Sequence, residues 1–281
     1  MKRILLFALA ALVAFPQMSD AKKNDSDGLK VMSYNIRYGS AEDGTNSWQY
    51  RWPATIAMLN DVQPDVFGVQ EALDFQLKLV SEMAKNYKNV GVGREDGKHD
   101  GEHMAIFWNK KTVKVLKWGT FWLSETPEKP SMGWDAACIR TATWALMKDK
   151  ETGKKFYFVN THLDHMGPLS QINSLKLIVD RIDEINPEKY PMVLTGDFNM
   201  TADSRALVDL DKVMTSTRKI AKKTDSKGTF NGWRKDRQGP AIDYIYVSGF
   251  GEVVEYETIT KKYADRPFVS DHYPIMSVVK F

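Results

Sequence analysis

The feature that most constrains this chain is a repeated one: short apolar runs that stop abruptly at Asn, Asp, Glu or His. "VMSYN" reaches Asn35, "DVFGVQE" reaches Glu71, "FVNTHLD" reaches His162 and Asp164, and "MVLTGDFN" reaches Asp197 and Asn199. Asp243 opens the run "DYIYV", and Asp271 and His272 precede "YPIMSVV". Apolar, β-branched runs of this length read as buried strands. Taken singly, each polar residue could be a turn former or a cap. Together they imply strands that deliver acids, amides and imidazoles to one end of a sheet structure.

The segments between these runs fill in an architecture. "FQLKLVSEMAK" is an amphipathic helix, and Pro53 suits the start of a helix that carries Ile56, Leu59 and Val62 and stops at Pro64. "SQINSLKLIVDRIDEIN" is a third helix, with Ile172, Leu175, Val179, Ile182 and Ile185 on one face. "HMAIFWN", "KVLKWGTFWL", "IRTATWALMK" and "KFYFVNTHLD" read as successive strands of a second sheet. "GPAIDYIYVSG" and "HYPIMSVVKF" close the chain as strands. No repeat or linker divides residues 29–281, so one domain of α/β sandwich type is expected rather than a doubly wound parallel sheet.

The N-terminus is a separate matter. Lys2 and Arg3 precede an apolar run, Ile4–Phe15, and Ser19-Asp20-Ala21 supplies small residues where a signal peptidase cuts. Residues 1–21 read as a signal peptide and 22–28 as a polar leader. Export to the periplasm or the cell exterior is expected, with no membrane span after cleavage. Cys138 is the only cysteine, so no intrachain disulfide supports the fold, and in "DAACIRTATW" it reads as a small buried residue. The net charge of +3 is too weak to announce a nucleic-acid binder. Residues 211–237, however, hold nine Lys or Arg against three Asp, a segment that could meet a polyanion or simply be solvated.

The residue types at the strand ends fit one chemistry. Carboxylates and amides without thiolates are ligands for a hard cation such as Mg²⁺. Histidines beside carboxylates supply general acids and bases. Cation, water and histidine together suit phosphoester hydrolysis.

"MSYNIR", "VQE", "VNTHLD", "LTGDFN", "IDYI" and "SDHYP", in this order, resemble the endonuclease/exonuclease/phosphatase superfamily, which includes deoxyribonuclease I and the carbon catabolite repressor/nocturnin deadenylases. The resemblance covers Lys30 to Phe281. It implies a four-layer sandwich, two mixed β-sheets face to face flanked by helices. It also implies roles. Glu71 would be the main Mg²⁺ ligand (Mn²⁺ a substitute), with Asn35 beside it and Asp271 near. Asp197 would position or deprotonate the attacking water, and Asn199 would hold the water or a phosphate oxygen. His272, oriented by Asp243, and His162, paired with Glu102, would be the catalytic histidines, and Arg140 would face the phosphate.

The substrate beyond the phosphate is less constrained. Trp122, Trp134 and Trp144 could stack on bases or sugars, Trp134 foremost because "MGWD" reads as a loop. Asp164 and His165 would extend the substrate site. His99 and His103 invite a metal reading but more simply are solvated loop residues. Gln171 stands where relatives with "THLDH" often carry an arginine. A monomeric, Mg²⁺-dependent phosphodiesterase with nuclease-like activity on a phosphate ester, nucleic acid included, is the first expectation. A phosphatase or phosphodiesterase of lipid, inositol or sugar phosphates is the second, and a non-catalytic binding protein is the remote third.

Overall fold

A computed structural model describes residues 28–235 and 239–281; the segment read above as a signal peptide and most of that read as a polar leader lie outside them. The first strand, β1 (Leu29–Asn35), is joined by helix α1 (Trp48–Val62) to a parallel neighbour, β2 (Val66–Gln70). After α2 (Asp74–Met83), strands β3 (Tyr87–Val90) and β4 (Ile106–Asn109) extend this sheet. The chain then crosses over. β5 (Val113–Trp122), β6 (Thr141–Asp149) and β7 (Lys155–His162) build a second sheet by antiparallel pairing. Helix α3 (Pro168–Ile185) leads to β8 (Met192–Asp197), parallel to β7. Short α4 (Arg205–Leu210), β9 (Thr215–Ser216) and α5 (Thr217–Ile220) precede β10 (Asp243–Ser248). β11 (Glu252–Thr258) and β12 (Ile275–Lys280) return to the first sheet. The sheet orders are β11-β12-β1-β2-β4-β3 and β5-β6-β7-β8-β10-β9.

Each sheet therefore has one parallel pair near its middle, which is what makes both mixed. A parallel pair needs a helical crossover, and α1 and α3 supply it. The register puts both strand ends of each pair at one rim: Asn35 lies opposite Gln70, and His162 opposite Asp197. Antiparallel β10 starts at the same rim, with Asp243 opposite Asp197. Val31, Val66, Ile106, Phe158, Val193, Ile245 and Ile275 fill the space between the sheets. Two outer cores lie under the helices.

Several expectations need correction. "HMAIFWN" does not join β5; β4 pairs with β2 and β3 in the first sheet, where Phe107 stacks on Phe67 with centroids 4.8 Å apart. α1 begins at Trp48 and takes Pro53 inside, because Trp48 and Arg51 are buried and the guanidinium packs over the indole. On α3 the inward face is Ser170, Ser174, Leu175, Ile178 and Ile182, while Ile172 is exposed. Burying Leu175, Ile178 and Ile182 contributes about 1.5–3 kcal/mol each. The edge strand β11 has no clean alternation to announce it, since a bulge between Val253 and Glu255 breaks its period.

Candidate active site

The strand ends meet in a pocket of about 490 Å³ lined by Glu71, His162, Asp197, Asn199, Asp271 and His272, among others. Two turns aim its side chains. Glu71 and Asn199 follow their strands in left-handed backbone, at φ 61 and φ 53. Asn tolerates that region; for Glu it costs about 1–2 kcal/mol. The strain at Glu71 is held by two bonds to its carboxylate: Asn35 Nδ2 donates to Oε1 at 2.9 Å and the Tyr38 backbone N–H to Oε2 at 2.8 Å.

Asn35 joins the two sheets. Its amide nitrogen also donates to Asp197 Oδ2 at 3.0 Å, while its own oxygen accepts from the Arg37 N–H. Asp197 Oδ1 accepts from the Asn199 N–H at 2.9 Å. Both histidines face the same carboxylate: His162 Nε2 is 3.5 Å and His272 Nε2 is 3.7 Å from Asp197 Oδ2. His272 Nδ1 meets Asp243 Oδ2 at 2.8 Å, so the imidazole holds its Nδ1 proton there.

The electrostatics separate these groups. Burial, then the charge of Asp243, lifts the Asp197 carboxyl to about 7. Burial pulls His272 down, but Asp243 and Asp197 together outweigh it and raise the imidazolium to about 10. His162 goes the other way: burial first, then Arg140 and His272, lower it and keep it neutral. Asp271 is raised, chiefly by burial and also by Glu71. Glu71, His162 and Asp197 each bring a ligand atom within 4.8 Å of the others. Crowded carboxylates that burial and mutual repulsion push toward protonation are what a divalent cation relieves, so the donor set fits a hard metal ion.

The sequence had paired Glu102 with His162. Instead Glu102 Oε2 accepts from Arg94 Nη1 at 3.0 Å, and His162 Nδ1 is buried with no hydrogen-bond partner among the described residues. His162 Nε2 meets the Asn199 amide at 2.9 Å. Asp164, expected to extend the substrate site, is not among the residues that line the pocket. It is fully buried, and its oxygens accept the backbone N–H groups of Ala137, Cys138, Met166 and Gly167 and the Arg140 Nε. Burial alone would raise it, but these donors hold it down to about 2. Arg140 and His165 do line the pocket, 3.2 Å apart. Cys138 is half-buried at its edge rather than in the core.

Trp134 is not among the lining residues; its backbone N–H donates to Glu125 Oε2. Trp122 is buried and donates to the Arg94 carbonyl at 2.7 Å, and Trp144 packs on Tyr157. His103 is buried and exposed His99 pairs with Asp74; the two line one shallow pocket but belong to no cluster of metal-ligating groups among the described residues. Gln171 donates to the Asp164 carbonyl at 2.7 Å. Four of the nine cations of the basic segment are neutralised by acids among the described residues. Lys212, Lys219, Lys222 and Lys223 pair with Asp209, Asp211, Glu252 and Glu255, and Arg218 donates to two backbone carbonyls.

Sequence reasoning missed Arg37, Tyr38, Arg94, Phe230 and Ile242, which also line the pocket. Arg37 lies two residues past Asn35, and that spacing could have found it. Tyr38 holds Glu71 through its backbone, which no side-chain pattern announces. Arg94 sits in an aperiodic polar loop.

The chain matches the Endonuclease/Exonuclease/phosphatase family over residues 32–272. An endonuclease/exonuclease/phosphatase from Bacteroides vulgatus is 37% identical, with a TM-score of 0.84 over 90% of this chain and 98% of that one. A mannosyl-6-phosphatase from Bacteroides thetaiotaomicron is 35% identical, with a TM-score of 0.86 over 90% of this chain and 100% of its own. The human nocturnin catalytic domain, 18% identical, shares the fold with a TM-score of 0.71 over 91% of this chain and 94% of that one. The motifs, the two mixed sheets and these relatives agree: the chain belongs to the endonuclease/exonuclease/phosphatase family, a family of metal-dependent phosphoester hydrolases, and is such a hydrolase itself.

Proposed function

We propose that the protein is an exported, Mg²⁺-dependent phosphomonoesterase acting on a sugar phosphate. The observation that carries this reading is the distribution of cations. Arg37, Arg94 and Arg140 line one pocket, each oriented there by a carboxylate (Asp43, Glu102 and Asp164), whereas Lys212, Lys219, Lys222 and Lys223 of the basic segment pair with acids that do not line it. A terminal phosphate dianion needs charge concentrated at one point; a polynucleotide needs it spread along a track. The 35% identity to a mannosyl-6-phosphatase over its whole length supports the same choice, ahead of the nuclease-like diesterase that the sequence alone favoured. The basic, then apolar residues 2–15 support export.

Glu71 and Asp271 would hold the cation, which when bound supplies charge neutralisation at the phosphoryl oxygens. Asp197 holds the attacking water and takes its proton; a carboxyl raised to about 7 is well matched to that task near neutral pH. Asn35 and the Asn199 N–H each occupy one Asp197 oxygen and fix the carboxylate's orientation. His272, protonated at both nitrogens against Asp243, donates Nε2–H as the P–O bond to the sugar breaks in line with the attacking oxygen. Neutral His162, held by Asn199, faces the phosphate, and the three arginines bind its remaining oxygens.

The test is a pair of rates with Mg²⁺: phosphate release from mannose 6-phosphate, and cleavage of a dinucleoside monophosphate. The monoester is expected to lead in kcat/KM by on the order of 10²-fold. A faster diester would overturn the reading and restore the nuclease one.

A further inference from the structure

Four of the strand-end motifs carry a second polar residue, just before the one assigned to the site. They are Ser33 ahead of Asn35, Gln70 ahead of Glu71, Asn160 ahead of His162 and Thr195 ahead of Asp197. All four are fully or almost fully buried, and they meet. Asn160 Oδ1 accepts from Gln70 Nε2 at 2.6 Å and from Thr195 Oγ1 at 3.1 Å. Asn160 Nδ2 donates across to the first sheet, to the carbonyls of Val69 at 2.8 Å and Ala105 at 3.1 Å. Gln70 Nε2 also reaches Ser33 Oγ at 3.2 Å. The amide fills the space over Gly68, where a Cβ would come within 2.3 Å of Asn160 Oδ1.

An apolar side chain could fill this volume, as valine, isoleucine and phenylalanine do elsewhere between the sheets. The cluster sits one step below the pocket, and it spans the junction on which the site depends. Glu71 comes from one sheet; His162 and Asp197 come from the other. Alternate residues of a strand share a face, so Asn160 and Thr195 lie directly under His162 and Asp197. The pocket arginines, by contrast, come from loops.

We propose that Asn160 is a positioning residue for hydrolysis: its amide, clamped by Gln70 and Thr195, sets the spacing between the metal-side carboxylate on one sheet and the water-side groups on the other. In-line attack is sensitive to that spacing, since a misplacement of about 1 Å costs on the order of 10²-fold in rate. Phosphate binding by the loop arginines is not. The proposal rests on hydrolysis at this site, not on which ester is cleaved.

The test compares Asn160→Ser, Thr195→Val and Gln70→Met with Ser277→Ala, which removes a buried hydroxyl bonded to Thr217 elsewhere between the same sheets. Each variant is assayed below its own unfolding midpoint on the ester that wild type cleaves. The expected result is a kcat lowered about 10- to 100-fold for Asn160→Ser, with smaller losses for the other two clamp variants. KM should stay within about threefold, and Ser277→Ala should keep its kcat at whatever stability it loses. If Asn160→Ser does not fold, the two volume-conserving variants decide. Folded clamp variants with wild-type kcat overturn the proposal, as does an equal kcat loss in Ser277→Ala. A wild type that cleaves no phosphoester fails the functional reading instead.

Discussion

Replacing Asp164 by Asn separates a buried organiser from a substrate contact. Asp164 Oδ1 accepts two backbone N–H groups and Oδ2 accepts two more plus the Arg140 Nε. An asparagine has one acceptor oxygen, so whichever way it lies at least two buried donors face an NH₂ group. Each orphaned donor costs about 1–3 kcal/mol. The carboxyl's displacement from its ordinary value to about 2 corresponds to about 2–3 kcal/mol in favour of the ionised form. The two routes agree on a loss of about 2–3 kcal/mol, or roughly 4–12 °C in Tm for a chain of this size. The pH dependence has a definite sign. A depressed carboxylate stabilises the fold above its unfolded pKa, and that contribution fades as pH falls through its folded one. The gap between wild type and Asp164→Asn should therefore be constant above about pH 5 and shrink toward pH 2. Urea unfolding across this range, with phosphate release measured at 25 °C, would read both effects. Catalysis should fall about tenfold through a misaligned Arg140. A variant with unchanged Tm and a raised KM would refute the reasoning and return Asp164 to the substrate.

Other outcomes follow from the same geometry. Asp243→Asn removes a charge that holds His272 protonated, so kcat near pH 8 should drop by about 10²- to 10⁴-fold, and the alkaline limb of the pH–kcat profile should move to lower pH. Lys222→Ala combined with Lys223→Ala should leave kcat/KM unchanged, within about twofold, for monoester and diester alike, because both lysines are paired with Glu252 and Glu255. Trp134→Ala should likewise leave KM within about twofold, as the indole does not line the pocket.

The strand-end residues were legible because each closes or opens a short apolar run, and the sheet register then brings those ends together. Burial was less legible. Asp164 looks like its neighbours in sequence, yet four backbone N–H groups from two loops enclose it, and only the folded chain shows them. Partner choice was less legible still. Glu102 lay close enough in sequence to Arg94 to pair with it, but both sit in an aperiodic loop, and the alternative partner His162 was favoured by resemblance. β4 was assigned to the wrong sheet because adjacency in sequence suggested a hairpin, whereas the Phe67–Phe107 stack draws it to β2. The basic segment misled for a related reason: the acids that neutralise Lys222 and Lys223 lie on β11, the strand the sequence did not announce.

In the proposed function, hydrolysis occurs at this rim and depends on a divalent cation held by Glu71. Its most direct test is a Mg²⁺ titration of phosphate release by chelator-treated wild type and Glu71→Ala. Chelation is expected to abolish the rate, Mg²⁺ to restore it in wild type with Mn²⁺ as a substitute, and Glu71→Ala to stay at least about 10³-fold slower at saturating metal. A full rate in chelator, or a Glu71→Ala variant as fast as wild type, would contradict the proposed function.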